Sequence, residues 1–311
     1  MSQDETYLGG ILSAEEFEQF EAARIDEKPF RASGRADRFS DHFGLEDFER
    51  LVNQTSIWTP DRLEIYLDTK KVPPQTYYSQ LQLHNGLRFR LEPAALQKLL
   101  DSGASLVLND IDGMTEGLKT LKTILAVYSG AKVESNLYYS QPRHRAFGVH
   151  FDVHEVFACQ IAGEKRWQIY QQAHRFPINH LAFLAGDLAM HEKAKGPLSL
   201  DFVMKQGDFI YIPAGYYHQA ICTNDISAHL SFSAVEMIGL DVISEIFENG
   251  IRDEFFRTPI RRSAGNSAVA DYLKLLSENI ERLATNDAFV QNIEKKLQAF
   301  PHSTGSVSIR K

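Results

Sequence analysis

The sequence predicts a mainly β core, folded as an antiparallel barrel or jelly roll, with an N-terminal α/β elaboration and a C-terminal helical region. Three observations carry this. Between residues 132 and 235 short apolar runs of strand length recur, separated by the turn signals Gly163-Glu164, Gly207-Asp208 and Pro213-Ala214-Gly215. Strands and helices do not alternate there in the regular way that a parallel sheet needs. From about residue 236 the periodicity becomes helical, with Leu273, Leu276, Ile280 and Leu283 forming one stripe. The boundaries implied are 1–131 for the N-terminal elaboration packed on the core, 132–236 for the barrel and 237–311 for the helical region.

Taken in order, Ser13 to Asp26 reads as a helix, because Ser13 and Glu16 have capping-box spacing. Residues 28–44 mix Gly, Ser and charge and read as a loop; Leu45 to Val52 reads as a short helix. Arg62 to Asp68 alternates apolar and polar and predicts a strand, ended by Pro73-Pro74. Pro93 opens a helix that stops at Gly103, Ala104 to Asn109 is a buried strand, and Glu116 to Tyr128 is an amphipathic helix. Lys132 to Tyr139, His150 to Ala162 and Lys165 to Tyr170 are expected as strands, the last two joined by a tight hairpin at Gly163-Glu164. Residues 171–200 form a looser stretch holding His174, His180 and His191 at no metal-binding spacing, so these read as surface or structural. Phe209 to Ile212, Tyr216 to Thr223 and Ser227 to Val235 are strands; Leu240 to Phe256 and Ala268 to Phe300 are helices, and the tail beyond looks frayed.

Composition excludes several classes. The 311 residues are 43% hydrophobic and 24% charged, ordinary for a globular protein. No apolar run is long enough to span a bilayer, and the acidic start MSQDETYLGG is unlike a secretory signal. A net charge of −8 gives no global basic surface, so direct nucleic-acid binding is not expected, while a basic protein or peptide partner is compatible. The two cysteines, Cys159 and Cys222, lie in strand-like apolar runs and read as buried thiols in a reducing cytoplasm.

The chemistry concentrates in His150-Phe151-Asp152. Side chains at i and i+2 of a strand share a face, so an imidazole and a carboxylate converge there. Two histidines and one carboxylate form the facial triad of non-haem Fe(II), which leaves positions open for other ligands. His218, just after the Pro213-Ala214-Gly215 turn, is the candidate third ligand. Lys165 and Arg166 are adjacent cations whose side chains point to opposite faces of a strand, and Arg166 is assigned to solvent or a surface pair. Trp167 and Phe157 read as core, and His229 as merely a histidine in a strand, the alternative being a hydrogen-bond donor behind the site residues.

Asn136-Leu137-Tyr138, HFDVHEVFACQIAGEKRWQIY, GDFIYIPAGYYHQA and HLSFS together resemble the JmjC-type, cupin-fold 2-oxoglutarate oxygenases, and within them the ribosomal-oxygenase branch. The resemblance covers roughly the middle third of the sequence. It implies a double-stranded β-helix core and Fe(II) held by His150, Asp152 and His218. It implies 2-oxoglutarate and O2 as co-substrates, with Lys165 on the distal carboxylate and Asn136, Tyr138 and Ser233 as polar contacts to the co-substrate or cavity. The activity implied is hydroxylation of a C–H bond of an amino-acid side chain in a protein or peptide. The same chemistry on a small molecule or biosynthetic peptide, and N-methyl-lysine demethylation, stand beside it. A non-catalytic cupin that binds a ligand is the alternative from another class. The apolar stripes of the C-terminal helices are expected to pack on the barrel or to form a homodimer.

Overall fold

The computed structural model describes residues 8, 10–84, 86–142, 146–172, 174–184, 186–260 and 265–302. The start of the chain before residue 8 and the tail beyond residue 302, expected to be frayed, lie outside the described residues. The chain divides into two compact units, residues 1–129 with 133–235, and residues 130–132 with 236–311.

In the first unit the elements run α1 (Ala14–Ile25), β1 (Phe30–Ala32), α2 (Leu45–Val52), β2 (Leu63–Leu67) and β3 (Lys70–Lys71). Then come β4 (Tyr78–Leu83), β5 (Gly86–Leu91), α3 (Pro93–Asp101), β6 (Ser105–Leu108), α4 (Glu116–Ser129) and β7 (Lys132–Ser140). The core strands are β8 (Glu155–Gln172), β9 (Leu198–Lys205), β10 (Phe209–Ile212) and β11 (Tyr216–Val235), with α5 (Leu181–Leu184) and α6 (Leu188–Ala194) between β8 and β9. Strand order is β1-β10-β8-β11-β7-β6-β2-β3, with β9 also on β8 and β4-β5 a separate hairpin. This mostly antiparallel arrangement is the barrel or jelly roll that the turn-rich strand pattern implies, in the double-stranded β-helix form that the resemblance implies.

The capping box at α1 forms as the sequence predicts: Ser13 Oγ accepts from Glu16 N–H at 3.2 Å, and Glu16 Oε2 accepts from Ser13 N–H at 2.9 Å. Glu16 also pairs with the fully buried guanidinium of Arg38 at 2.7 Å. Arg38 in turn donates to Gly207 O at 2.8 Å, tying α1 to the turn before β10. Phe20 of α1 sits against Phe157, Phe209 and Tyr211, with ring centroids 5.3–6.2 Å apart, so one helix face closes the aromatic core of the sheet.

Two expectations about strands are corrected. Gly163-Glu164 is not a hairpin. Strand β8 runs through it, pairing β10 in its first half and β9 in its second, while β11 follows it antiparallel along nearly its full length. The glycine marks a bend, with φ +65°. Opposite the bend β11 bulges: Cys222 pairs with Lys165 and Ser227 with Gly163, so four residues of β11 face one of β8. The bulge folds over the glycine so closely that a Cβ at position 163 would lie 1.9 Å from Ile226 O. Only glycine meets both conditions, a left-handed φ and no side chain. Gly163→Ala is therefore expected to destabilise the fold by roughly 3 kcal/mol or more. Urea denaturation measures this; an unchanged midpoint would mean that the bulge rearranges freely.

His150–Asp152 likewise lies outside any regular strand. It meets β11 through a single bridge, His150 with His218. Strands β1, β4, β5 and β9 fall in stretches where no strand is expected from sequence; β1 is a three-residue edge paired to β10.

The second unit contains α7 (Gly239–Gly250), α8 (Glu254–Arg257), α9 (Gly265–Ala284) and α10 (Asp287–Ala299). The two long helices expected here are each broken by a local cap. Asp253 accepts from Phe255 N–H at 2.9 Å, and Asn286 accepts from Ala288 N–H at 3.0 Å. Phe255 stacks on Tyr272 at 5.6 Å, and Arg282 pairs with Asp253 at 2.7 Å.

Candidate metal centre

The Pro213-Ala214-Gly215 turn brings the start of β11 alongside His150. His150 N–H donates to His218 O at 3.1 Å, and His218 N–H donates to His150 O at 2.7 Å. Gly215 N–H donates to Asp152 O at 2.8 Å. Gly215 has φ +83°, and a Cβ there would meet His174 O at 1.8 Å, which explains the glycine in this turn. Three backbone hydrogen bonds thus fix both ends of the His-Phe-Asp segment against the β11 start.

The ligating atoms of His150, Asp152 and His218 lie within 4.8 Å of one another. Among the described residues this is the one such group of His, Cys, Asp and Glu donors. His218 Nε2 is 3.4 Å from Asp152 Oδ2. An octahedral ion holding donors at ~2.1 Å keeps neighbouring donors ~3 Å apart, so this set becomes a facial triad by drawing its donors inward onto the ion. The ring orientations suit the same role. His150 Nδ1 faces Gly148 O at 2.9 Å, and His218 Nδ1 faces Tyr216 O at 3.0 Å. A carbonyl only accepts, so the neutral rings carry their hydrogen on Nδ1 and turn the Nε2 lone pair inward.

Protonation follows from the surroundings. Burial, reinforced by the neighbouring His150, pushes His218 down to about 4, so its ring is neutral near pH 7. Burial opposes ionisation of Asp152, but His150, His218 and His154 outweigh it and hold the carboxyl below its usual range. Neutral imidazoles and an ionised carboxylate are the forms that bind a metal.

The three donors line one side of a cavity of about 270 Å³. The expected polar residues Asn136, Tyr138, Ser233 and Lys165 all line it as well. Asn136 Oδ1 accepts from Asp110 N–H at 3.1 Å, and Ser233 Oγ donates to Glu134 O at 3.4 Å. Burial, with Asp152 adding, raises the Tyr138 phenol to about 12, so it stays protonated. Lys165 is 5% exposed, and its Nζ donates to Ser140 Oγ at 3.4 Å. Among the described residues no carboxylate forms an ion pair with it. A buried ammonium without a counter-charge is costly, and the part of the cavity beside Lys165 therefore fits an anion.

Lys165 reaches this place from the bent second half of β8, not across a hairpin. Arg166, next along, points outward and pairs with Asp201 at 2.6 Å. Of the loose-region histidines, His191 Nδ1 lies 2.9 Å from Tyr217 Oη, while the His174 ring packs on Phe151 at 5.0 Å; neither lines the cavity. Phe157 is core, as expected. Trp167 and His229 are not merely structural: both line the cavity, Trp167 stacking on His218 at 5.9 Å. Ser140, Phe147, His154, Cys222 and Ser231 also line it and carry no distinguishing sequence signal.

Residues 109–239 match the sequence profile of the JmjC domain. The bifunctional lysine-specific demethylase and histidyl-hydroxylase NO66 of Drosophila simulans is 30% identical over 148 residues, 47% of this chain and 17% of that protein. Ribosomal oxygenase 1 of Homo sapiens is 30% identical over the same length, 47% of this chain and 23% of its own. The chain thus spans about a fifth of the length of these relatives. Among solved structures, the ribosomal oxygenase YcfD of Escherichia coli with cobalt and 2-oxoglutarate superposes with a TM-score of 0.55 at 12% identity. The match covers 91% of this chain and 70% of that one. The profile and the shared fold point the same way: residues 109–239 match a JmjC domain, and the fold resembles that of a ribosomal oxygenase.

Proposed function

We propose that this protein is an Fe(II)- and 2-oxoglutarate-dependent dioxygenase that hydroxylates a C–H bond of an amino-acid side chain in a protein or peptide. The observation that carries the reading is the union, in one cavity, of a His-Asp-His donor set and a buried lysine that has no carboxylate partner among the described residues. His150, Asp152 and His218 would hold the iron, and Lys165 the distal carboxylate of 2-oxoglutarate. Asn136, Tyr138 and Ser233 would supply polar contacts on the β7–β11 wall. With iron, 2-oxoglutarate and O2 bound, the site supplies oxidation of a C–H bond coupled to decarboxylation of the co-substrate. The protein's own part is orientation and a dry wall: the Nδ1 hydrogen bonds fix the two rings, and Val156, Ala220 and Trp167 exclude water.

The relatives named as ribosomal oxygenases and as demethylase and histidyl-hydroxylase support a protein substrate. The mouth of the cavity is compatible with one: Phe147 is partly exposed and lies 4.8 Å from Tyr66, 5.9 Å from Tyr138 and 6.0 Å from His150, ring to ring. Such a shelf can hold a planar or cationic side chain, a methylated lysine included. The test is incubation with Fe(II), 2-oxoglutarate and a ribosomal-protein peptide pool, reading succinate formation and product mass. Gain of one oxygen identifies hydroxylation, and loss of a methylene identifies demethylation. Absence of 2-oxoglutarate turnover with every peptide, together with unchanged metal affinity in His150→Ala, would sink the reading in favour of a non-catalytic cupin.

A cytoplasmic location and a homodimer belong to the same proposal. Cys159 and Cys222 are free and buried, as in a reducing compartment, and no described helix is long and apolar enough to cross a membrane. Helix α7 exposes Leu240, Ile243 and Phe247, and Ile251 follows at its C-cap on the same stripe, with Phe247 67% exposed. Phe247→Glu is expected to shift the protein from dimer to monomer in sedimentation equilibrium while leaving metal affinity unchanged. A wild-type protein that sediments as a monomer at micromolar concentration rules the dimer out.

A further inference from the structure

Lys165 does not stand alone in its corner of the cavity. Its Nζ lies 3.5 Å from His229 Nδ1, and both groups are about nineteen-twentieths buried. An ammonium has no lone pair to offer, so in this contact Nδ1 must accept. His229 is then a neutral ring with its hydrogen on Nε2. Burial, with the Lys165 charge adding, holds it well below the ordinary histidine range, which agrees. The ring has no freedom to turn away. Its face stacks on Tyr138 with centroids 5.0 Å apart and planes 14° from parallel, and Trp167 meets it edge-on at 5.5 Å. Strand β11 supplies His229 just past the bulge, and the pairing of Cys222 with Lys165 sets β11 against the lysine's own strand.

A four-carbon side chain on a bent strand needs such a support. Lysine is flexible, and its ammonium can be satisfied from many directions. Here Ser140 Oγ and His229 Nδ1 engage two of its three N–H groups, so the third has a defined direction. We propose that His229 is a positioning residue for the co-substrate: it acts as a neutral acceptor, clamped between Tyr138 and Trp167, that aims the Lys165 ammonium at the distal carboxylate of a bound dicarboxylate. This rests on the reading of Lys165 given above and adds to it the group that fixes where the lysine points.

Two substitutions separate the acceptor from the ring. His229→Phe keeps the stack on Tyr138 and deletes the acceptor. His229→Asn deletes the stack and keeps an oxygen where Nδ1 was. Calorimetric titration of the full-length protein, loaded with Mn(II), with 2-oxoglutarate gives Kd for each. The proposal expects His229→Phe to weaken binding about tenfold or more and His229→Asn to stay within about threefold of wild type. Mn(II) affinity should be unchanged in both. The reverse order, with the Phe variant normal and the Asn variant weak, would assign His229 a packing role and overturn the proposal. If both variants bind as wild type while Lys165→Met does not, the proposal fails and the lysine reading stands. If Lys165→Met also binds as wild type, the reading fails and the proposal with it. Nitrogen-15 NMR of the histidine rings adds a readout independent of affinity: the His229 signals should stay those of the neutral Nε2–H form from pH 6 to 9.

Discussion

Replacing His218 with alanine is expected to weaken divalent-metal binding by roughly 100-fold or more, with His150→Ala and Asp152→Ala doing the same. The expectation comes from how each donor is held. His218 is 4% exposed, its backbone is locked to His150 by a reciprocal pair of hydrogen bonds, and its ring is set by the Tyr216 carbonyl. Among the described residues no nearby donor can replace it. His154, the other histidine on this side of the cavity, has its Nδ1 3.1 Å from the Glu155 carbonyl, and the donor cluster does not include it. The loss should therefore appear in binding itself, not only in turnover. Titration of the metal-free protein with Mn(II), followed by electron paramagnetic resonance of the free ion, measures it without any co-substrate. Mn(II) affinity within a few-fold of wild type in all three variants would remove the metal centre from the interpretation. Asp152→Asn refines the test: shape is kept and charge is lost, so an intermediate affinity would show that the carboxylate contributes charge beyond geometry.

These three donors are legible because each sits in a local motif whose backbone geometry is nearly closed by itself. His-Phe-Asp needs only an extended backbone, and Pro213-Ala214-Gly215 delivers His218 a few residues later. The route between the two is misleading at Gly163-Glu164. A glycine followed by a polar residue between apolar runs looks the same whether the backbone reverses or merely bends; here φ +65° serves a bend under the β11 bulge. The same bulge hides the rest of the site. Before it, Ala220 and Cys222 face the cavity; after it, His229, Ser231 and Ser233 do. The inward parity therefore changes from even to odd inside residues 223–226, and no alternation rule carried through the stretch can tell that His229 points inward. Trp167 reads as core for a related reason: it packs with Ile169 and Met204 and lines the cavity at once. Strand β9 escapes because Leu198–Lys205 borders an irregular stretch and more than half its residues are exposed, so burial there gives little pattern.

Lys165→Met is expected to weaken 2-oxoglutarate binding by roughly 100-fold while leaving Mn(II) affinity within about twofold. The variant keeps the length and the apolar stem and removes the charge. Burial pushes the Lys165 ammonium down to about 8, with Cys222 opposing the shift weakly. The titratable groups beside it are His229 and Cys222, both from β11; on β7 it meets the Ser140 hydroxyl. The direction of the pH effect follows. In the unfolded state the lysine titrates near ~10.4, so the folded, ligand-free protein disfavours the charged form. That penalty is absent above about pH 10, grows as pH falls toward 8 and is complete below it. A bound dicarboxylate supplies the missing counter-charge, relieves the penalty and raises the lysine pKa again. Affinity for 2-oxoglutarate should accordingly be flat below pH 8 and fall by up to about tenfold per unit above it. Stabilisation of the fold by the ligand, read as a rise in Tm, should be larger near pH 7 than near pH 9.5. Lys165→Met should lose both dependences together. An affinity that stays flat to about pH 10 in the wild type, or a methionine variant that binds as tightly, would show that the anion is held elsewhere in the cavity.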